Sequence, residues 1–147
     1  MGIPKLHRII EVTGNCTFED LHDKIFEAFE RYDPHLYSFY LTKEDTKSKV
    51  KIWESPEITH PQNTLSDVWD EKIEKEFADE VKIEEANLQT KDVFFYLFDF
   101  GDDWWHRIRV QTVKEIIGNK KSIKVIKSVG EAPPQYPEYE DFEEEYD

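Results

Sequence analysis

The stretch that most constrains this chain is "DVFFYLFDFGDDWWHRIRV", residues 92–110. Two runs rich in aromatic and β-branched residues, 92–100 and 104–113, flank Gly101 and Asp102, which predicts a β-hairpin. With Gly101-Asp102 as the tip, Gly101 supplies the positive φ of a tight turn. The pairing then sets Asp99 against Trp104, Leu97 against His106, Phe95 against Ile108 and Val93 against Val110, all on one face. The other face carries Phe94, Tyr96, Phe98, Trp105, Arg107, Arg109 and Gln111. Arg107 would stand over Tyr96 and Arg109 over Phe94, a spacing suited to cation–π contact. Trp104 is then expected to anchor the core, and Trp105 to lie in an outer layer. Strands this apolar require a cover, so the rest of the chain must supply it.

The cover is legible upstream. "KLHRIIEV" (5–12) predicts a strand closed by the turn residues "TGN". Thr17-x-x-Asp20 has the form of a capping box. Phe18, Leu21, Ile25, Phe29 and Tyr32 then recur at spacings of three and four, an apolar helical stripe. Asp33-Pro34 is the expected stop. "HLYSFYL" (35–41) and "KVKIW" (49–53) predict strands joined by a hairpin loop. "SPEITHPQN" (55–63) reads as a loop. A second helix is expected from Thr64 to about Ala78, with Leu65, Val68, Trp69, Ile73 and Phe77 on one face. "SIKVIKSV" (122–129) is the last expected strand. The predicted fold is α+β: one domain over 1–142, with a largely antiparallel, possibly mixed sheet of about five to six strands and two main helices on it. The acidic end, 143–147, is expected to be disordered. The part from Pro133 to Phe142 is expected to dock on the body through Tyr139 and Phe142.

Charge narrows the function. The chain has 147 residues and a formal charge of −14, and seven of its acids lie in 138–147. Phosphate backbones are bound through Lys and Arg, so nucleic acid is a poor partner. The lysines of "KKSIKVIK" (120–127) read as the solvated face of a strand. No run approaches the roughly 20 apolar residues of a membrane span. Nothing at the start resembles a signal peptide, so a cytoplasmic location without a membrane partner is expected. Cys16 is the only cysteine. It precedes a helix start, which lowers a thiol pKa, but Glu19 and Asp20 oppose a thiolate.

Asp99 and His106 are the candidate catalytic residues. As diagonal neighbours an acid and an imidazole could perform acid–base work or orient a metal ligand. The plainer reading is that Asp99 satisfies a half-buried His106. His22, His35 and His106 with Asp99 would suit a divalent transition metal if helix and sheet brought them together. No local ligand motif supports that, so no cofactor is expected. His7 and His60 read as surface residues. Trp105, Arg107 and Arg109 are the candidate binding residues.

The hairpin motif "FDFGDDWWHRI" resembles the Ri-plasmid ORF-three-like (pRiA-type) family, with Phe98 where that family has Tyr. "RIIEV" (8–12) and "FEDLHDKIFEAFERYDPHLYSF" (18–39) extend the resemblance over nearly the whole chain. The closing segment keeps Pro133-Pro134 and Tyr139-x-x-Phe142 but lacks the family's Cys, acidic pair and glycines. The resemblance implies no established activity. Some members are labelled resolvase-like, yet no Ser or Tyr nucleophile with an arginine cluster stands out here. The favoured function is a non-enzymatic module that binds an unidentified protein. The rival is a metal-dependent hydrolase near His106 and Asp99, and a DNA-acting accessory of a mobile element comes third.

Overall fold

The structure, a computed structural model, describes residues 6–63, 75–100, 103–115 and 118–135. Residues 64–74 of the expected second helix lie outside these, as do Tyr139, Phe142 and the acidic end 143–147. Among the described residues, seven strands and two α-helices form an α+β fold with two sheets: β1 (His7–Val12), α1 (Phe18–Ala28), β2 (Tyr37–Tyr40), α2 (Lys49–Trp53), β3 (Glu57–Thr59), β4 (Lys75–Phe77), β5 (Val93–Phe98), β6 (Trp104–Arg109) and β7 (Ile123–Val129). A five-stranded sheet runs in the order β4-β3-β2-β5-β6, antiparallel except for the β3–β4 pair. β1 and β7 form a separate antiparallel ribbon with a bulge between Ile9 and Ile10.

α1 begins as its sequence predicts. Thr17 Oγ1 accepts from Asp20 N at 3.1 Å, and Asp20 Oδ2 accepts from Thr17 N at 2.9 Å. Two of the orphan donors at the helix start are thereby satisfied. Phe18, Leu21, His22 and Ile25 are buried against the sheet. The end comes earlier than Asp33-Pro34. Arg31 N bonds to Phe26 O and Glu30 N to Glu27 O, both at 3.0 Å, with Glu30 at φ +55°. That is a Schellman turn built on a glutamate where glycine is usual. It removes Tyr32 from the stripe, leaving it 69% exposed, and sends Arg31 inward.

Three further departures have local causes. "KVKIW" alternates like a strand but forms α2, capped by the Ser48 hydroxyl on Lys51 N at 3.3 Å. Only its Ile52 is buried. Residues 57–59, expected as loop, pair with β2 between Pro56 and Pro61. Residues 75–77, expected as helix, pair with β3.

The hairpin register is shifted by one. Phe98 pairs with Trp104, Leu97 with Trp105, Tyr96 with His106, Phe95 with Arg107, Phe94 with Ile108 and Val93 with Arg109. The connection is five residues, 99–103, closed by Asp103 N to Asp99 O at 2.7 Å, with Asp99 and Asp103 both at positive φ. Asp99 leaves the ladder because its N–H donates to Leu36 O at 2.9 Å. A one-residue slip moves a strand's side chains to the opposite face. Phe94, Tyr96, Phe98, Trp104, His106 and Ile108 therefore share the face under α1, where the larger core lies. Val93, Phe95, Leu97 and Trp105 form a smaller core with Tyr40 and Ile52 on the reverse.

Candidate functional site

Under α1 this register assembles a chain of polar groups, buried except for the half-buried His106. His22 Nδ1 hydrogen-bonds the Tyr96 hydroxyl at 2.5 Å. Its ring stacks on Tyr37, with centroids 3.7 Å apart and planes 7° from parallel. One strand over, His106 Nδ1 lies 3.2 Å from Tyr96 O, and His106 Nε2 lies 2.6 Å from Arg31 Nη2. Arginine only donates, so Nε2 carries the lone pair and Nδ1–H donates to the carbonyl. Arg31 is 9% exposed and is walled by Phe98, Phe29 and Trp104, with its guanidinium carbon 4.9, 5.2 and 5.6 Å from their rings. These contacts are the cation–π geometry that the sequence assigned to Arg107 and Arg109.

Burial controls the protonation of this chain. Desolvation, with Arg31 adding to it, lowers the His106 pKa to about 3. Desolvation, then His60 and Arg31, lowers His22 to about 3 as well. Burial raises the Tyr37 and Tyr96 hydroxyls and lowers the Arg31 guanidinium from its ordinary value. General acid–base catalysis works best with a group titrating near the operating pH. Both imidazoles stand far below it. They hold the sheet to the helix as neutral hydrogen-bonding groups.

Asp99 and His106 do not pair. Asp99 lies beyond the last hairpin rung, and its Oδ2 is 3.5 Å from His35 Nε2, which is also 3.5 Å from Asp33 Oδ2. His22, His35 and His106 thus take different partners. Among the described residues, no group of three His, Cys, Asp or Glu is placed to hold a metal ion. His7 and His60 are half-buried rather than on the surface, and His60 stands edge-on to Tyr37 at 5.3 Å. Cys16 is fully buried, with Sγ 3.5 Å from Thr13 Oγ1.

On the reverse face, α2 and β6 bring together the binding candidates. Tyr40, Trp53 and Trp105 meet with centroids 5.3 to 5.9 Å apart. Lys49 Nζ sits 3.9 Å above the Trp105 ring. Arg107 donates two bonds to Asp45, at 2.9 and 2.8 Å, instead of covering Tyr96. Arg109 is exposed and faces Val93 across the ladder, not Phe94. Trp53 is 44% exposed and Val50 62%. A shallow depression of about 190 Å³ is lined by Thr46, Lys47, Lys49, Ile52, Phe95 and Trp105, among others. β6 is the edge of its sheet among the described strands.

Arg31, Tyr96 and Tyr37 were not legible as site residues. An arginine just after an amphipathic helix reads as solvated. The only signal for its burial was the aromatic density of 26–39. The structure makes one bond in this chain directly testable. Tyr96→Phe removes the partner of His22 Nδ1 and should cost about 1–3 kcal/mol, the range for stranding a buried polar atom. Denaturant melts reading less than about 0.5 kcal/mol would show that the bond contributes nothing.

The fold is also found in a crystal structure of a protein of unknown function, MM3350, from Methanosarcina mazei Go1. The match has 22% identity and a TM-score of 0.59, and covers 91% of this chain and 67% of that one. No curated protein matches the chain. Among the described residues no helix is long and apolar enough to cross a membrane. The hairpin motif, the capped first helix and the strand after it all fall within residues 2–145, the span matched by one family's sequence model, and the chain belongs to that family, the plasmid pRiA4b ORF-3-like proteins.

Proposed function

We propose that this chain is a non-enzymatic protein-binding module whose partner docks on the face formed by Trp105, Trp53 and Lys49. The observation that carries the reading is the contact between exposed Trp53 on α2 and half-buried Trp105 on the edge strand β6, backed from below by the buried Tyr40. Trp, Tyr and Arg are enriched in binding hot spots, and the two aromatics bury large area at low cost in side-chain entropy. Arg107, held by Asp45, supplies a charged rim beside them. An edge strand offers unpaired backbone groups to an extended segment of a partner. Further support comes from the buried face. His22, His35 and His106 take different partners, and Asp99 meets only His35 of the three, so a hydrolase centred on them draws no support. The charge of −14 gives none to action on DNA.

The test is a photo-crosslinking residue at position 53, followed by calorimetry with the protein it captures. Trp105→Ala and Arg107→Ala should each weaken that complex at least about tenfold, some 1.4 kcal/mol, while the circular dichroism spectrum is unchanged. Affinities equal to the wild type for both variants would place the interface elsewhere.

A further inference from the structure

Arg31 is a buried cation whose charge is uncompensated among the described residues. Its Nη2 donates to a neutral imidazole, and its Nη1 is buried without a hydrogen-bond partner. The rings of Phe29, Phe98 and Trp104 wall it. A second donor nearby is in the same condition: Trp104 Nε1, on a ring 5.6 Å from the Arg31 guanidinium carbon, is also buried and unpartnered. Buried charges are normally paired, and buried donors normally satisfied. Two such donors on neighbouring side chains, one of them cationic, call for an anionic acceptor such as a carboxylate.

The last described residue before the acidic run is held close in the chain to Arg31. Gln135 Oε1 accepts from Tyr32 N at 2.9 Å and from Asp33 N at 3.0 Å, while its Nε2 donates to Asp33 O at 2.7 Å. Those backbone groups immediately follow Arg31. Gln135 is 3% exposed, so the chain is fastened to the segment that follows Arg31 just before the run 138–147 with its seven acids. The first of these, Glu138, is three residues on, a reach of up to roughly 10 Å. Acids further along the run reach more widely.

We propose that Arg31 and Trp104 form a carboxylate-binding site and that the acidic run 138–147 of the same chain fills it. The site makes the run an internal ligand, and it would equally accept an acidic segment presented by another protein.

The test uses the full chain with the seven acids of 138–147 changed to their amides, beginning with Glu138→Gln. The readouts are the Trp104 indole N–H resonance and the thermal midpoint. Amidation should shift that resonance and lower the midpoint by about 4 °C or more. A synthetic peptide of residues 136–147, added to the amidated chain, should return the resonance saturably towards its original position. Arg31→Met in the amidated chain should abolish the response to peptide. If amidation changes neither readout but the peptide shifts the resonance of the unaltered chain, the carboxylate site stands and its source is another molecule. If neither amidation nor peptide moves the Trp104 resonance, the proposal is overturned, whether or not Arg31→Met folds.

Discussion

Phe98→Ala is expected to lower the unfolding free energy by about 3–5 kcal/mol, the range for deleting a large aromatic from a packed core. Phe98 is fully buried. Its ring meets Phe26 at 5.8 Å, His35 at 5.9 Å and His22 at 6.0 Å, and it carries the Arg31 guanidinium at 4.9 Å. Truncation would leave a cavity and also strip one wall from a buried cation. Urea melts at constant m-value would measure the loss. A value under about 1 kcal/mol would mean that the ring does not join helix, strand and hairpin as described.

The second large effect is with pH. In the unfolded chain His22 and His106 titrate near pH 6.5, whereas in the folded chain both titrate at about 3. Between these values the unfolded state binds more protons, so acid favours unfolding. Stability should be unaffected by these groups above about pH 6.5. It should fall as the pH drops, and stop falling on their account near pH 3. A gap of about 3.5 in pH corresponds to roughly 4–5 kcal/mol for each histidine, or close to 2.7 kcal/mol per pH unit while both take part. Asp20, whose carboxyl is lowered by its bonds to Lys121 and Thr17 despite partial burial, adds to the loss only below about pH 4. Denaturant melts across about pH 4–6 check the slope, and His106→Gln should remove roughly half of it. A slope that His106→Gln leaves intact would contradict the burial of this imidazole.

How much of this could be read from residues alone varies with the element. The start of α1 is written in Thr17 and Asp20, because a capping box is a purely local device. The end of the helix is not, since Glu30 occupies the left-handed position where glycine would have announced it. Strands β5 and β6 are plain in the sequence, but their register depends on Asp99, whose N–H bonds to Leu36 O. That is a tertiary contact which no turn propensity anticipates. The slip reversed the partners of every arginine and histidine on the hairpin. Trp105 was nevertheless legible as an outer-layer residue, since its neighbour Trp104 packs against the larger core. Lys49 and Trp53 were hidden by the strand-like alternation of α2. Arg31 was hidden by its own charge, for nothing local tells a buried guanidinium from a solvated one.

The proposed docking on the aromatic face goes with a polar chain under α1 that is structural and neutral. An NMR titration of the His22 and His106 imidazoles tests this most directly. Both rings should remain neutral from about pH 8 down to about pH 5, with the His106 proton on Nδ1, as their burial and partners require. Titration of either ring with a midpoint between about 6 and 8 would contradict the account, and would put a working acid–base group in the core.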